Sequence, residues 1–220
     1  LSLNKRTLIS CLIDSMYHNI LKIFCAGACM DFNYFYILFW IVSYIIGSIS
    51  SGDIIVNSFT NKNIRTLGTL NPGASNIYAE ISPKFGVIVF FVDIFKGALS
   101  TLPLVLLGYA SWIPAISMGA LLLGHMVKTP WGKYGGTGMA TAMGAGVGLL
   151  PLGALIGVFP SFLILLITKR PSFTGAAAFL LSIIGGWLIY QDLISTISIL
   201  IAASAVLIKY QSQYKLIKID

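Results

Sequence analysis

"FGVIVFFVDIFKGALSTLPLVLL", residues 85–107, is an apolar run interrupted by one acid, Asp93, and one base, Lys96. It has the length a helix needs to cross a hydrocarbon core, roughly 17 to 25 residues. Asp93 and Lys96 stand three apart, so on a helix they share a face and neutralise one another, which lowers the cost of charge in an apolar medium. Two readings of the pair stay open: a structural ion pair, and a part of a substrate site.

The rest of the chain is built from similar runs. Of its 220 residues 57% are hydrophobic and 10% charged, too few polar residues to cover a water-soluble globule. The fold class this implies is all-α: a polytopic integral membrane helical bundle. Besides 85–107, spans are expected at 34–56, 112–127, 139–150, 151–168, 173–190 and 193–208, about seven membrane segments in all. The run 139–150 is too short to cross upright, and Gly144, Gly146 and Gly148 suit it to close helix packing or a partly re-entrant path. Aromatic residues at the ends of runs, among them Tyr36, Trp40, Trp112, Trp187 and Tyr190, fit interfacial anchoring or the core.

Basic residues follow the odd-numbered runs: Lys62, Arg65 and Lys84, then Lys128 and Lys133, then Lys169 and Arg170, then Lys209, Lys215 and Lys218. The connections after the second, fourth and sixth runs hold no Lys or Arg. This asymmetry predicts an outside N-terminus and a cytoplasmic C-terminus, and the location expected is the cell (inner or plasma) membrane. Because the net charge of +7 is spread over short loops between apolar runs, nucleic acid is excluded as a partner. Residues 1–29 break the pattern with Lys5, Arg6 and Lys22, and they lack the apolar core and cleavage site of a signal peptide. They are read as a weakly structured or amphipathic N-terminal extension ahead of a membrane domain, 30–220. Cys11, Cys25 and Cys29 have no histidine at metal spacing, so neither a disulfide framework nor a metal site is expected.

Two loops carry polar chemistry. In "NKNIRTLGTLNPGASNIYAE", residues 61–80, short hydroxyl and amide side chains alternate with Gly and Pro, giving turns whose N–H groups can converge on an anion. The plain alternative is a turn-rich connector. In "GHMVKTPWGKYGGTGMAT", residues 124–141, a glycine-rich turn leads into an apolar run, and free N–H groups at a helix start bind phosphate. A glycine pair alone is weak evidence, but both loops and "TKRPS", residues 168–172, fall on one membrane face. His125 reads as a base, a phosphate ligand or a hydrogen-bonded helix-end histidine. Asp53, in "GSISSGDII", shows no local partner and marks the end of the first span.

The ordered set "GSISSG", "GTLNPGASN", "DIFKGA", "GHMVKTPWGKYGGTGMAT" and "TKRPS" resembles the bacterial acyl-phosphate-dependent glycerol-3-phosphate acyltransferases, over roughly residues 34–215. The resemblance implies a seven-helix integral membrane enzyme with its site facing the cytoplasm. Such an enzyme moves a fatty acyl group from acyl phosphate to the 1-hydroxyl of glycerol-3-phosphate, making lysophosphatidic acid for phospholipid biosynthesis, with no metal and no cofactor. Its partners would be glycerol-3-phosphate, fatty acyl phosphate and membrane lipid. Carried across by position, the resemblance assigns catalytic roles to His125 and Ser172. Substrate or phosphate binding falls to Thr69, Asn71, Gly73, Asn76, Lys133, Gly135, Gly136, Thr137 and Gly138, and Asp93, Lys96 and Gly97 support the site.

Three positions depart from the family pattern. Thr137 replaces the Lys of a Gly-Gly-Lys-Gly run, Ala79 replaces an Arg, and the C-terminal Gly-Thr-Glu is missing. Each lost cation forfeits charge-assisted hydrogen bonds of about 1.5 to 3 kcal/mol. Lys133, four residues before Thr137, and Arg65, ahead of the first loop, are placed to compensate. The expectation is therefore an acyltransferase. The alternative is a catalytically impaired relative that keeps the fold as a lipid- or phosphate-binding membrane protein. A transporter is disfavoured because the polar residues gather at one face instead of inside broken helices.

Overall fold

The computed structural model describes residues 32–127, 135–168 and 171–217, and the extension 1–29 lies outside them. Helices α1 (Phe32–Ser48) and α2 (Ser51–Phe59) lead to a 3-10 turn, Ile64–Thr66, and a short helix α3 (Ala74–Glu80). There follow α4 (Pro83–Leu106), α5 (Trp112–Met126), α6 (Met139–Leu149), α7 (Pro151–Thr168), α8 (Pro171–Tyr190) and α9 (Leu193–Ile217). No strand occurs among the described residues.

Among the described residues, four helices are long and apolar enough to cross a membrane, and α1 with α2 makes a fifth candidate bent by 41°. The expected single span 34–56 is thus two helices. The break has a local cause: Ser48 turns its hydroxyl onto the Ile45 carbonyl, and Ser50 caps α2 by accepting the Asp53 N–H. A serine three residues before an acid offers the backbone a new helix start inside an otherwise apolar run. The third expected span is also shorter than a full crossing, 15 residues in α5, while α6 has 11, as its brevity in sequence predicts.

The helices are inverted relative to those of a soluble protein. Large apolar side chains such as Phe91, Phe95, Phe159 and Ile167 point outward, while Ser43, Asp93, Lys96, Thr101 and Ser117 are buried. In lipid the polar groups have to find partners inside the bundle. Ser43 and Ser117 hydrogen-bond each other at 2.8 Å across α1 and α5, and the Thr101 hydroxyl donates to the Ala145 carbonyl at 2.9 Å across α4 and α6. The α4–α6 contact is glycine-mediated. A Cβ on Gly97 would overlap the Thr141 carbonyl, and one on Gly144 would overlap the Ile94 carbonyl, so the two backbones touch. Gly146, by contrast, has only Ile199 near it. This tight pair sets the start of α6, and hence the glycine loop, against the rest of the bundle.

Alternate connections gather at opposite ends. At one end the Leu152 N–H donates to the Tyr190 hydroxyl, and Phe35 stacks on Tyr109. Tyr36, Trp40 and Trp112 form a ring cluster there, with centroids 5.1 to 6.1 Å apart. At the other end the Lys209 ammonium of α9 donates to the Met126 carbonyl that closes α5, and Met139 packs on Gly175. Among the described residues, that second end carries Arg65 and Lys209.

Candidate functional site

The first loop is fastened before it reaches the site. Asn63 caps the 3-10 turn by accepting the Arg65 N–H, and buried Ile64 inserts among Val56, Ile77 and Val89. Arg65 then grips Asp53, its Nε donating to Oδ1 at 2.9 Å and its Nη2 to Oδ2 at 2.5 Å. Asp53 therefore does have a partner, 12 residues on, and Arg65 is committed to a carboxylate instead of standing as a spare cation. Beyond the turn, Gly68 and Leu70 both adopt positive φ, 52° and 56°. A left-handed leucine costs of order 1 to 3 kcal/mol and persists only where its surroundings enforce it.

Asn76 supplies that enforcement. Its Oδ1 accepts the Thr69 N–H at 2.9 Å, and its Nδ2 donates to the carbonyls of Leu67 at 3.0 Å and Asn71 at 2.9 Å. One buried amide thus clasps three points of the loop, and the clasp turns the Asn71 side chain inward. Thr69 itself is exposed and enters through its backbone, and Ala79 is exposed on α3. Gly73, which starts α3, lies against the Asn71 amide.

The opposing wall is the end of α5 and the glycine loop. His125 is 6% exposed. A Cβ on Gly135 would overlap the His125 carbonyl, so only glycine lets the loop press there. A Cβ on Gly136 would stand 2.9 Å from His125 Nε2 and 3.4 Å from Asn71 Oδ1. Gly138 takes a left-handed φ of 81° and opens α6, whose first N–H groups have no side-chain cap. Among the described residues, three buried side-chain atoms have no hydrogen-bond partner: Asn71 Oδ1, His125 Nδ1 and Thr141 Oγ1, the last in the first turn of α6. Buried polar atoms without partners are rare and mark places where a ligand or water is held.

Asn71, His125, Gly135 and Gly136 therefore converge although Asn71 and Gly135 are far apart in sequence. Asn76 stands one layer behind, Gly138 packs on Met126, and Thr137 is half-buried between its glycine neighbours. Lys133 lies outside the described residues. Ser172 is placed in the first turn of α8, and its side chain lies outside what is described.

Beneath the loop is a polar network that sequence reading recognised only in part. Lys96 Nζ pairs with Asp93 Oδ1 at 2.9 Å and donates to the Ile49 carbonyl at 2.9 Å, while the Ser51 hydroxyl donates to Asp93 Oδ1 at 2.5 Å. The ion pair thus satisfies the backbone freed where α1 breaks and ties down the start of α2. Gly52, next in line, sits directly on the Pro72 carbonyl. Ser51 lies in "GSISSG", one of the stretches that carry the resemblance, but its pairing with Asp93, 42 residues away, left no local pattern. An apolar recess between α6, α7, α8 and α9, lined by Met143, Ala178 and Phe179, holds about 20 Å³, room for a single water. None of the residues of the polar network lines it.

The bundle superposes on the crystal structure of PlsY (YgiH), an integral membrane glycerol 3-phosphate acyltransferase in its glycerol 3-phosphate form. The TM-score is 0.74, with 25% identity, 82% of this chain and 90% of that one covered. The class this likeness defines is an integral membrane acyltransferase. The sequence profile described as Glycerol-3-phosphate acyltransferase matches residues 37–218, and the chain belongs to that family. Glycerol-3-phosphate acyltransferase 2 of Bacillus anthracis is 40% identical over 183 residues, 80% of this chain and 92% of the relative. Glycerol-3-phosphate acyltransferase of Staphylococcus carnosus is 31% identical over 174 residues, 76% of this chain and 86% of the relative.

Proposed function

We propose that the chain is an acyl phosphate:glycerol-3-phosphate 1-O-acyltransferase making lysophosphatidic acid. The observation that carries this is the meeting of Asn71, His125 Nε2 and Gly136 at the uncapped start of α6. Backbone N–H groups at a helix start, with the positive end of its dipole, hold a phosphate. The other phosphorylated substrate lies along the loop that Asn76 clasps.

Acyl phosphate is already activated, so no acyl-enzyme is needed. The 1-hydroxyl of glycerol-3-phosphate attacks the acyl carbonyl carbon, the bond from that carbon to the phosphate oxygen breaks, and inorganic phosphate leaves. The hydroxyl proton passes to His125 Nε2 or to a phosphate oxygen. Most of the acceleration comes from alignment and from fixed dipoles around the phosphates. Ser172 and Thr137 contribute hydroxyl donors, Thr69 and Gly73 shape the loop, and Lys133 brings a positive charge to the glycine loop. Asp93, Lys96 and Gly97 hold the layer beneath.

The site faces the cytoplasm of a cell membrane that the chain crosses about seven times, a reading supported by the basic loops at the site's end of the bundle. The second reading, a relative without turnover, is favoured by the uncharged Thr137 and Ala79. Purified protein given acyl phosphate and each acceptor separates the two: lysophosphatidic acid forms in the first case, and phosphate binds without product in the second.

A further inference from the structure

We infer that the recess between α6 and α8 receives the fatty acyl chain of the donor and that Gly146, which lines it, decides which chains are accepted. The inference rests on the acyltransferase reading given above. A fatty acyl phosphate whose head is held at the start of α6 sends its tail alongside that helix, since the tail stays in an apolar medium. Two faces of α6 are open to comparison. On one, Gly144 and Gly148 lie against α4: a Cβ on Gly144 would overlap the Ile94 carbonyl, and one on Gly148 the Thr101 hydroxyl, which is itself bonded to the Ala145 carbonyl. Helices packed backbone to backbone leave no room for a hydrocarbon chain.

The opposite face carries Met139, Met143 and Gly146, at the i, i+4, i+7 spacing of one helical stripe. Met139 packs on Gly175, one turn beyond Ser172 on α8, and Met143 and Gly146 then line the recess with Ala178, Phe179 and Ile199. At 1.5 Å per residue these two positions lie about 8 and 12 Å past Gly138 along α6. Val158 of α7 also lines the recess and is 41% exposed, so a chain that passes through continues into lipid. Methionines are unbranched and repack readily, so Met139 and Met143 turn aside for a chain where branched side chains would not.

Gly146 is the telling residue. Glycine inside a helix is less favourable than alanine, and packing does not require one here. A Cβ at Gly144 or Gly148 would meet a neighbour at 2.0 Å, whereas one at Gly146 would find only Ile199 Cδ1, at an ordinary 3.9 Å. The plainer reading is a packing void. Filling a void of that kind adds contacts without regard to the substrate, so chain length tells the two apart.

The test compares Gly146→Leu and Gly146→Ala with the parent in purified protein. Palmitoyl phosphate and butyryl phosphate are the donors, and KM for glycerol-3-phosphate and the thermal midpoint are followed beside them. Four carbons reach under about 5 Å at bond lengths near 1.5 Å, short of the recess. In Gly146→Leu, kcat/KM for palmitoyl phosphate should fall about tenfold or more, because two or three methylenes lose their burial. Butyryl phosphate and KM for glycerol-3-phosphate should stay near the parent, and the midpoint should hold or rise. Gly146→Ala should shift the preference the same way by less. Palmitoyl phosphate used as well as by the parent, or both donors lowered alike, would overturn the inference and leave a packing void.

Should Gly146→Leu not fold, or the parent not turn over butyryl phosphate, photolabelling of the parent decides. A palmitoyl phosphate bearing a mid-chain diazirine is bound and irradiated, and the labelled peptides are read by mass spectrometry. Label within 143–147 or 178–182 that excess palmitoyl phosphate displaces supports the inference, and label elsewhere, or label that is not displaced, overturns it. The same experiment keeps the two readings apart. A parent labelled at the recess that makes no lysophosphatidic acid loses the acyltransferase reading and keeps the chain site, while a parent that turns over and is labelled elsewhere does the reverse.

Discussion

Replacing Gly136 with alanine adds one methyl group at the point where three site residues meet. That methyl would stand 2.9 Å from His125 Nε2, 3.7 Å from His125 Cε1 and 3.4 Å from Asn71 Oδ1. The first contact is too short, so the imidazole has to shift by a few tenths of an ångström. It has little room, because the His125 carbonyl is pressed by Gly135 and the Asn71 backbone is clasped by Asn76. Overpacking of this kind costs about 1 to 3 kcal/mol of stability, a modest fall in thermal midpoint. The catalytic effect should be larger relative to its cause. Losing one charge-assisted hydrogen bond, about 1.5 to 3 kcal/mol, lowers kcat/KM roughly ten- to 150-fold. Gly135→Ala is the contrasting variant: its methyl meets the His125 carbonyl, which is backbone, so fold and activity should be lost together. The assay follows lysophosphatidic acid and phosphate release in detergent beside thermal unfolding. A Gly136→Ala protein with parental kcat/KM would show that no reacting group passes between His125 and Gly136, and the site as drawn would be wrong.

Removing one partner of the buried Asp93–Lys96 pair leaves an uncompensated charge, so Asp93→Asn and Lys96→Met should each cost about 3 to 5 kcal/mol. Combined, they should cost less than their sum by roughly 0.5 to 3 kcal/mol, read from denaturation of the four proteins. Thr137→Lys should tighten inorganic phosphate binding about tenfold, and adding Ala79→Arg should tighten it further, as isothermal titration would show. Asp192 caps α9, its Oδ1 accepting the Ile194 N–H at 3.1 Å and its Oδ2 the Ser195 hydroxyl at 2.7 Å. Burial pushes its carboxyl up, but hydrogen bonds from the hydroxyls of Ser111 and Ser195 and from the backbone of Ser195 and Ile194 outweigh it, leaving the pKa below its ordinary value. A carboxyl with a depressed folded pKa stabilises above its unfolded pKa and loses that contribution as pH falls through the folded one. Asp192→Ala should therefore lower stability by about 0.5 to 2 kcal/mol at neutral pH, with the gap closing below about pH 4.

The membrane class and most helix positions were legible because lipid imposes one strong rule, a long apolar run for each crossing. The run 85–107 became Pro83–Leu106 and 139–150 became Met139–Leu149, within two residues at each end. The bend in the first span escaped that rule, since two serines barely alter hydropathy over a long window. Yet Ser50 three residues before Asp53 is a capping pattern that could have been read. Asp53 and Arg65 find each other only because the 3-10 turn reverses the chain, and the turn depends on Ile64 being buried by residues from α2, α3 and α4. For the site, loop charge grouped the first loop with the glycine loop, whose residues Asn71 and Gly136 do meet, and the glycine run pointed to a helix start. What it could not reveal is which side chains cross the gap: Asn71 turns inward because Asn76 clasps its carbonyl, and Lys209 reaches Met126 across 83 residues. Those are tertiary contacts with no local pattern.

The central claim is turnover by a site built on Asn71, His125 and the glycine loop, and it is tested most directly by one assay. Purified protein is mixed with fatty acyl phosphate and glycerol-3-phosphate, and lysophosphatidic acid and inorganic phosphate are counted together. The prediction is equal amounts of both over many turnovers, with glycerol-3-phosphate required for either to appear. Phosphate release without lysophosphatidic acid, or no product under conditions in which the Bacillus anthracis relative is active, would contradict it.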